Sequence, residues 1–125
     1  MERLTVGSGY GFEDSYGYSR AVRVGDQIFV SGTTARPPDL DSDAYLQAKA
    51  ILAIVEAALA EAGAELRHVV RTVAYVTDLA DQDHIARAHR EAFGAVRPAS
   101  TLVQVAGLTP STARVEIEVT AIIHG

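Results

Sequence analysis

The chain has 125 residues, 48% of them hydrophobic, enough for one domain with a packed core and too apolar for a disordered chain. Its 11 basic and 16 acidic residues leave a net charge of −5 with no basic cluster, which argues against nucleic acid as a partner. Cysteine is absent, which excludes disulfides, thiolate metal sites and cysteine nucleophiles.

Met1-Glu2-Arg3-Leu4 is not followed by an apolar run, so no signal peptide is read. The longest apolar stretch, Ala50 to Ala60, contains Glu56 and is too short to span a bilayer. The expectation is a cytoplasmic protein with no membrane association.

In chain order, Leu4-Thr5-Val6 reads as a short strand. Gly7-Ser8-Gly9-Tyr10-Gly11 loosely resembles a phosphate loop, but the glycine spacing is wrong and no helix pattern follows, so a mobile loop is expected. Tyr18 to Val24 and Gln27 to Ser31 read as two strands joined by a Gly25-Asp26 hairpin turn, with Gly32 as the stop. Arg36-Pro37-Pro38-Asp39 is loop, because proline lacks the amide a helix interior or central strand needs.

A helix is predicted from Asp41 or Ser42 to Ala62. Acids cap its start, Gly63 stops it, and Ala48, Ile51, Leu52, Val55 and Leu59 form one stripe. Val69 to Val76 reads as a strand apolar on both faces except at Arg71 and Thr72, and so as central or covered by another subunit. A second helix follows from Gln82 to Phe93. Its buried stripe is Ile85, Ala88, Ala92 and Phe93, and Arg87 and Glu91 form a surface pair.

Two strands close the chain. The last, Arg114 to Ile123, alternates Val115, Ile117, Val119, Ala121 and Ile123 against Arg114, Glu116, Glu118 and Thr120. The preceding run splits into Ala99, Thr101, Val103 and Val105 against Ser100, Leu102 and Gln104. If the apolar faces share a core, Ser100, Gln104, Glu116 and Glu118 share the other face. Carboxylates on such a face are either merely solvated or part of a site.

The order β-β-β-α-β-α-β-β predicts a two-layer α+β domain spanning residues 1–125, a mixed sheet with two helices on one face. The bare, partly apolar second face, with Leu102 on it, implies burial in an oligomer.

The chemistry-bearing residues narrow the function. His84 and His89 are five apart on a helix and point about 140° apart. No H-x-x-x-H, cysteine or Asp-rich loop is present, so neither metal nor cofactor is expected and all four histidines are read as surface residues. No G-x-S-x-G elbow supports serine catalysis. Arg71, inside an apolar strand, needs either a carboxylate such as Glu116 or Glu118 or an anionic ligand. Arg97 precedes a proline, which predicts an extended link, either at a pocket rim or on the surface.

Taken together, Tyr18-Ser19-Arg20-Ala21-Val22, Val30-Ser31-Gly32, Val69 to Asp78, Arg97-Pro98-Ala99-Ser100-Thr101, Val105-Ala106-Gly107-Leu108 and Val115-Glu116-Ile117-Glu118 resemble the Rid/YjgF family. These are reactive-intermediate (imine) deaminases, also labelled L-PSP endoribonucleases. The resemblance runs from about Gly17 to Ile123. It implies a chorismate-mutase-like fold and a homotrimer with clefts between subunits that take a small-molecule ligand.

By the same resemblance, Tyr18, Ser31 and Gly32 shape the pocket and Glu116 orients the attacking water. Pro98-Ala99-Ser100-Thr101 puts Ser100 where the family's carboxylate-binding arginine stands, which resembles the branch lacking that arginine. Arg71, Arg97 or Arg114 is then the candidate source of positive charge. The candidate site is therefore Glu116 as the catalytic residue, with Tyr18, Ser31, Gly32, Arg71, Arg97, Ser100 and Thr101 binding ligand. The expected function is hydrolysis of a small imine or carbonyl compound. The alternative is a non-catalytic small-ligand or protein-interaction module. A ribonuclease rests on the family label alone.

Overall fold

The computed structural model describes residues 2–125. A hairpin-rich N-terminal part supplies half the sheet. Strand β1 (Arg3–Val6) is followed by a short helix α1 (Gly11–Tyr16), β2 (Ala21–Val24) and β3 (Gln27–Thr33). Helix α2 (Ala44–Glu61), β4 (Val69–Val76), α3 (Gln82–Phe93), β5 (Ala99–Gln104) and β6 (Val115–Ile122) complete the chain. The six strands lie in the order β1-β2-β3-β6-β4-β5, with only β4 and β5 parallel. The expected mixed α+β sheet is present, with one helix more than the periodicity predicts.

Gly7 to Tyr10 form a loop, as expected, and the extra helix corrects the expectation that no helix follows it. At six residues α1 is too short to show an apolar stripe. Its one buried side chain is Glu13, an acid that no hydrophobic pattern reports. Gly17 ends it at φ +87°, in the left-handed region where a β-carbon is penalised. Strand β2 then begins at Ala21, three residues later than the pattern suggests, because Tyr18 to Arg20 are committed to the site described below.

Helix α2 starts later than predicted. Asp39–Asp41 form a single 3-10 turn, and the cap is Asp43, whose carboxylate accepts from the Leu46 amide at 2.9 Å. Buried Gln47 joins this entry to the sheet. Its amide donates to the Leu40 and Ser42 carbonyls, and its Oε1 accepts from the Arg114 amide at 2.9 Å. At the other end Gly63 (φ +88°) turns the chain, and Arg23 Nη1 donates to the Ala62 carbonyl at 2.7 Å.

The core lies between the helices and one sheet face. Ile51, Val55 and Leu59 of α2 and Ile85 and Phe93 of α3 cover Ile28, Val76, Val115, Ile117 and Ala121, all at most 2% exposed. Each large apolar side chain buried there contributes about 1.5–3 kcal/mol. The alternation read in β6 holds: Val115, Ile117, Val119 and Ala121 point inward, and Glu116, Glu118 and Thr120 point to the open face.

Strand β5 is inverted relative to its pattern. Register pairs Ser100 with Thr72 and Leu102 with Ala74, both buried on the helix side, so Ser100, Leu102 and Gln104 face α3. Ala99, Thr101 and Val103 share the open face with Glu116 and Glu118. An edge strand with apolar residues on both sides carries too little pattern to fix its face. Seating the larger Leu102 against the core decides it. The open face also presents Phe29, 48% exposed, and Val103, 39% exposed.

Candidate functional site

The site grows from a break in the β3–β6 ladder. Val30 pairs with Val119 but Thr33 pairs with Ile117, so β3 carries one extra residue there. This bulge holds Ser31 and Gly32 against the start of β6 and re-aims the local backbone. Gly32 therefore continues the strand rather than ending it. A β-carbon at Gly32 would collide with the Glu116 carboxylate, so a side chain here would displace that carboxylate. The Ser31 hydroxyl donates to the Ser19 carbonyl at 2.7 Å, and its amide donates to the Arg20 carbonyl at 2.9 Å. Those bonds fix the link between α1 and β2 against the bulge.

Arg20 is the hub of that link and is fully buried. Its Nε donates to Glu13 Oε2 at 3.0 Å, and its Nη1 donates to the Gly32 carbonyl at 2.8 Å and to Thr33 Oγ1 at 2.9 Å. Its Nη2 donates to the Tyr18 hydroxyl at 2.7 Å. Glu13 also accepts from the Ser8 amide at 3.0 Å and from the Ser8 hydroxyl. Burial works to raise the Glu13 pKa, but the Ser8 hydrogen bonds and the Arg20 guanidinium outweigh it and hold the carboxyl below its ordinary range. One ion pair thus ties α1, Tyr18 and the bulge into a unit.

Above this hub is a cleft of about 350 Å³. Tyr18, Ser31, Gly32 and Glu116 line it, together with Arg20, Arg36 and the rings of Tyr10, Phe12 and Tyr16. The rings form a continuous array: Phe12 stacks on Tyr16 at 5.3 Å, and Tyr18 meets both edge-on at 6.1 and 5.8 Å. Glu116 makes no side-chain hydrogen bond among the described residues. Burial first, and the Glu118 charge second, push its pKa above the ordinary carboxylate value, with Arg20 opposing. A free, partly desolvated carboxylate in a concave site is equipped to take a proton from water.

Glu118 is occupied elsewhere. It accepts a hydrogen bond from the Tyr75 hydroxyl on the open face, which raises the Tyr75 pKa. Of the two carboxylates, it is Glu116 that lines the cleft.

The remaining predicted site residues fall elsewhere. Arg71 has no ion pair with Glu116 or Glu118. It is exposed on the open face and donates to Thr101 Oγ1 at 3.3 Å. The open sheet face leaves its guanidinium in solvent, so no carboxylate is required. Arg97 is not in an extended link. Its φ of +58° is left-handed, at the turn from α3 into β5. Arg114 pairs with Asp81 at 3.2 Å, outside the cleft.

Arg97 and Ser100 line a separate, larger cleft of about 570 Å³ under α3. No carboxylate lines it. There Thr72 Oγ1 donates to Ser100 Oγ at 2.7 Å and lies 2.8 Å from His89 Nε2. His89 is half-buried, which lowers its pKa. His68 is buried outright, its Nδ1 accepting from the Glu65 amide at 2.9 Å, so two of the four histidines are not surface residues.

Arg36 is the residue that sequence reasoning passed over. It reads as loop because prolines follow it, and a lone arginine in a loop carries no periodic signal. Its guanidinium lies over the Tyr10 ring, Cζ 3.6 Å from the centroid, and Nη1 donates to the Thr34 carbonyl at 2.6 Å. Burial and the neighbouring Arg20 charge lower its pKa.

Among the described residues, no group of three or more His, Asp or Glu side chains comes together as a metal site, and no helix is long and apolar enough to cross a membrane.

The chain is similar to proteins of one family throughout. The family model described as Endoribonuclease L-PSP matches residues 12–123. An uncharacterized protein of Streptomyces coelicolor is 40% identical over 119 residues, covering 93% of this chain and 89% of its own length. The human protein named 2-iminobutanoate/2-iminopropanoate deaminase is 31% identical over 109 residues, covering 84% of this chain and 79% of its own. Among solved structures, a member of the YjgF/YER057c/UK114 family from Mycobacterium tuberculosis matches with a TM-score of 0.91 at 42% identity, over 98% of this chain and 100% of that one. The chain therefore belongs to the Rid/YjgF family, the family described as Endoribonuclease L-PSP, and has its mixed α+β fold.

Proposed function

We propose that this protein hydrolyses a small imine to the corresponding carbonyl compound and ammonia, with Glu116 as general base. The observation that carries this reading is the unbonded Glu116 carboxylate in the aromatic-lined cleft, its pKa raised by burial. The deaminase name of the human relative supports it.

Glu116 takes a proton from water as the water oxygen bonds to the imine carbon. The C=N π pair moves to nitrogen, which takes the proton back from Glu116. The carbinolamine then collapses: Glu116 carries the hydroxyl proton to the amine, the C–N bond breaks as the carbonyl forms, ammonia leaves, and the Glu116 carboxylate is regenerated. Gly32 leaves room for the carboxylate, and the Arg20–Tyr18 hydrogen bond fixes one cleft wall.

The test is ammonia release from 2-iminopropanoate by the purified protein and its Glu116→Gln variant. Turnover in the parent, reduced by about 10²-fold or more in the variant, supports the reading. Equal turnover in the two removes Glu116 from the mechanism.

The working form we propose is a homotrimer closed over the open sheet face. Exposed Phe29 and Val103 on that face favour a covered state. A monomeric mass at micromolar concentration argues against it.

A further inference from the structure

The Glu116 cleft contains a cation whose hydrogen-bond donors the fold uses only in part. Arg20 is neutralised by Glu13 at 3.0 Å. Arg36, lining the same cleft, has no carboxylate within ion-pair distance among the described residues. Its hydrogen bonds all use Nη1, to the Thr34 carbonyl and to Thr34 Oγ1 at 3.2 Å. Its Nη2 is shielded from solvent and has no partner at all.

A buried guanidinium donor without an acceptor is uncommon, since desolvating it gains nothing unless something accepts its hydrogen bond. Tyr10 covers one face of the group but offers no acceptor to its edge. The Tyr10 hydroxyl makes no hydrogen bond among the described residues, so the ring is held by its packing on Arg36 and its edge contact with Phe12. Arg36 is thus a charged fork prepared on the wall of a small, ring-lined cleft whose other functional group is an anion, Glu116.

We propose that Arg36 is the specificity residue of this cleft, binding the carboxylate of a small planar 2-imino acid. The inference rests on the hydrolase reading and names the residue that binds its substrate's carboxylate. Glu116 alone would repel an anion. Arg36 reverses that by forming charge-assisted hydrogen bonds in a desolvated setting. An imine conjugated to a carboxylate is flat, which suits the faces of Phe12, Tyr16 and Tyr18. Once Arg36 holds the carboxylate, the adjacent imine carbon is the atom offered to water at Glu116.

The experiment reads binding separately from turnover. Pyruvate, the product-like 2-oxo acid, and its uncharged methyl ester are titrated into the full chain by NMR. The proteins are the parent, Arg36→Gln, Arg36→Lys and Glu116→Gln, each first checked to unfold cooperatively at a temperature no lower than the parent's. We expect pyruvate to bind the parent at least about tenfold more tightly than the ester. Arg36→Gln should abolish that preference and Arg36→Lys should restore part of it.

Pyruvate binding to Arg36→Gln as tightly as to the parent overturns the proposal. So does a parent that binds neither pyruvate nor the larger phenylpyruvate. An Arg36-dependent preference that survives in Glu116→Gln, in a protein that releases no ammonia from any imine, overturns the hydrolase reading and leaves Arg36 as the anion site.

Discussion

Gly32 and Glu116 are complementary in shape: the space a β-carbon would fill on Gly32 is held by the Glu116 carboxylate. The β3 bulge brings the glycine there and the first outward position of β6 brings the acid. Gly32→Ala should push the carboxylate off its position while leaving the sheet intact. The expected outcome is a loss of kcat of about 10²-fold, since small misplacements of a catalytic group are costly. Overpacking should cost only about 1–3 kcal/mol of stability. Steady-state kinetics and thermal melts on the same sample separate the two.

The Arg20–Glu13 pair is buried on both sides, so removing one partner strands the other. Glu13→Gln and Arg20→Met should each destabilise by about 3–5 kcal/mol, and the double change Glu13→Leu with Arg20→Met by less than either. Denaturant unfolding measures this. Glu13 has a folded pKa below its ordinary value, so its contribution is present above the ordinary carboxylate range. That contribution is lost as the pH falls through the depressed folded value, and the parent should show an acid-side loss of stability that Glu13→Gln lacks.

Glu116 has the opposite sign. Its folded pKa is raised, so between its ordinary value and the folded one the native state binds the extra proton. Stability from this group falls as the pH rises through that window. Glu116→Gln should therefore melt higher than the parent at neutral pH while losing turnover. In the parent, kcat should fall on acidification at a pH above the ordinary glutamate range, because the base must be ionised. A melting temperature lowered by Glu116→Gln at neutral pH would contradict this assignment.

Thr72 sits between Ser100 and His89 under α3. Thr72→Val keeps the shape and deletes the hydroxyl, leaving two polar partners short of a bond beside the core. A loss of about 1–3 kcal/mol is expected. Ser100→Ala, at the exposed end of the same chain, should cost less. Thermal melts of the two variants rank them.

Phe29 lies on the open face opposite Thr120. If that face is covered in a trimer, Phe29→Glu places a charge in the interface and should yield monomers by sedimentation velocity. Secondary structure by circular dichroism should be unchanged.

The sequence by itself determined most of the elements. Period-2 alternation located β6 and its inward residues, period-3.6 spacing located α2 and α3, and Gly25-Asp26 located the hairpin, because each depends on neighbours close in the chain. It also grouped Tyr18, Ser31, Gly32 and Glu116 by family resemblance, and these four line one cleft. What only the tertiary structure decided are the relations without local signal. The face of β5 was set by register against β4, which moved Ser100 under α3 and Thr101 to the open side. Helix α1 depends on a carboxylate and a guanidinium seven residues apart finding each other inside the protein. Arg36 becomes informative only through its burial beside Tyr10, since a charged loop residue is written identically whether it ends in water or in a cleft.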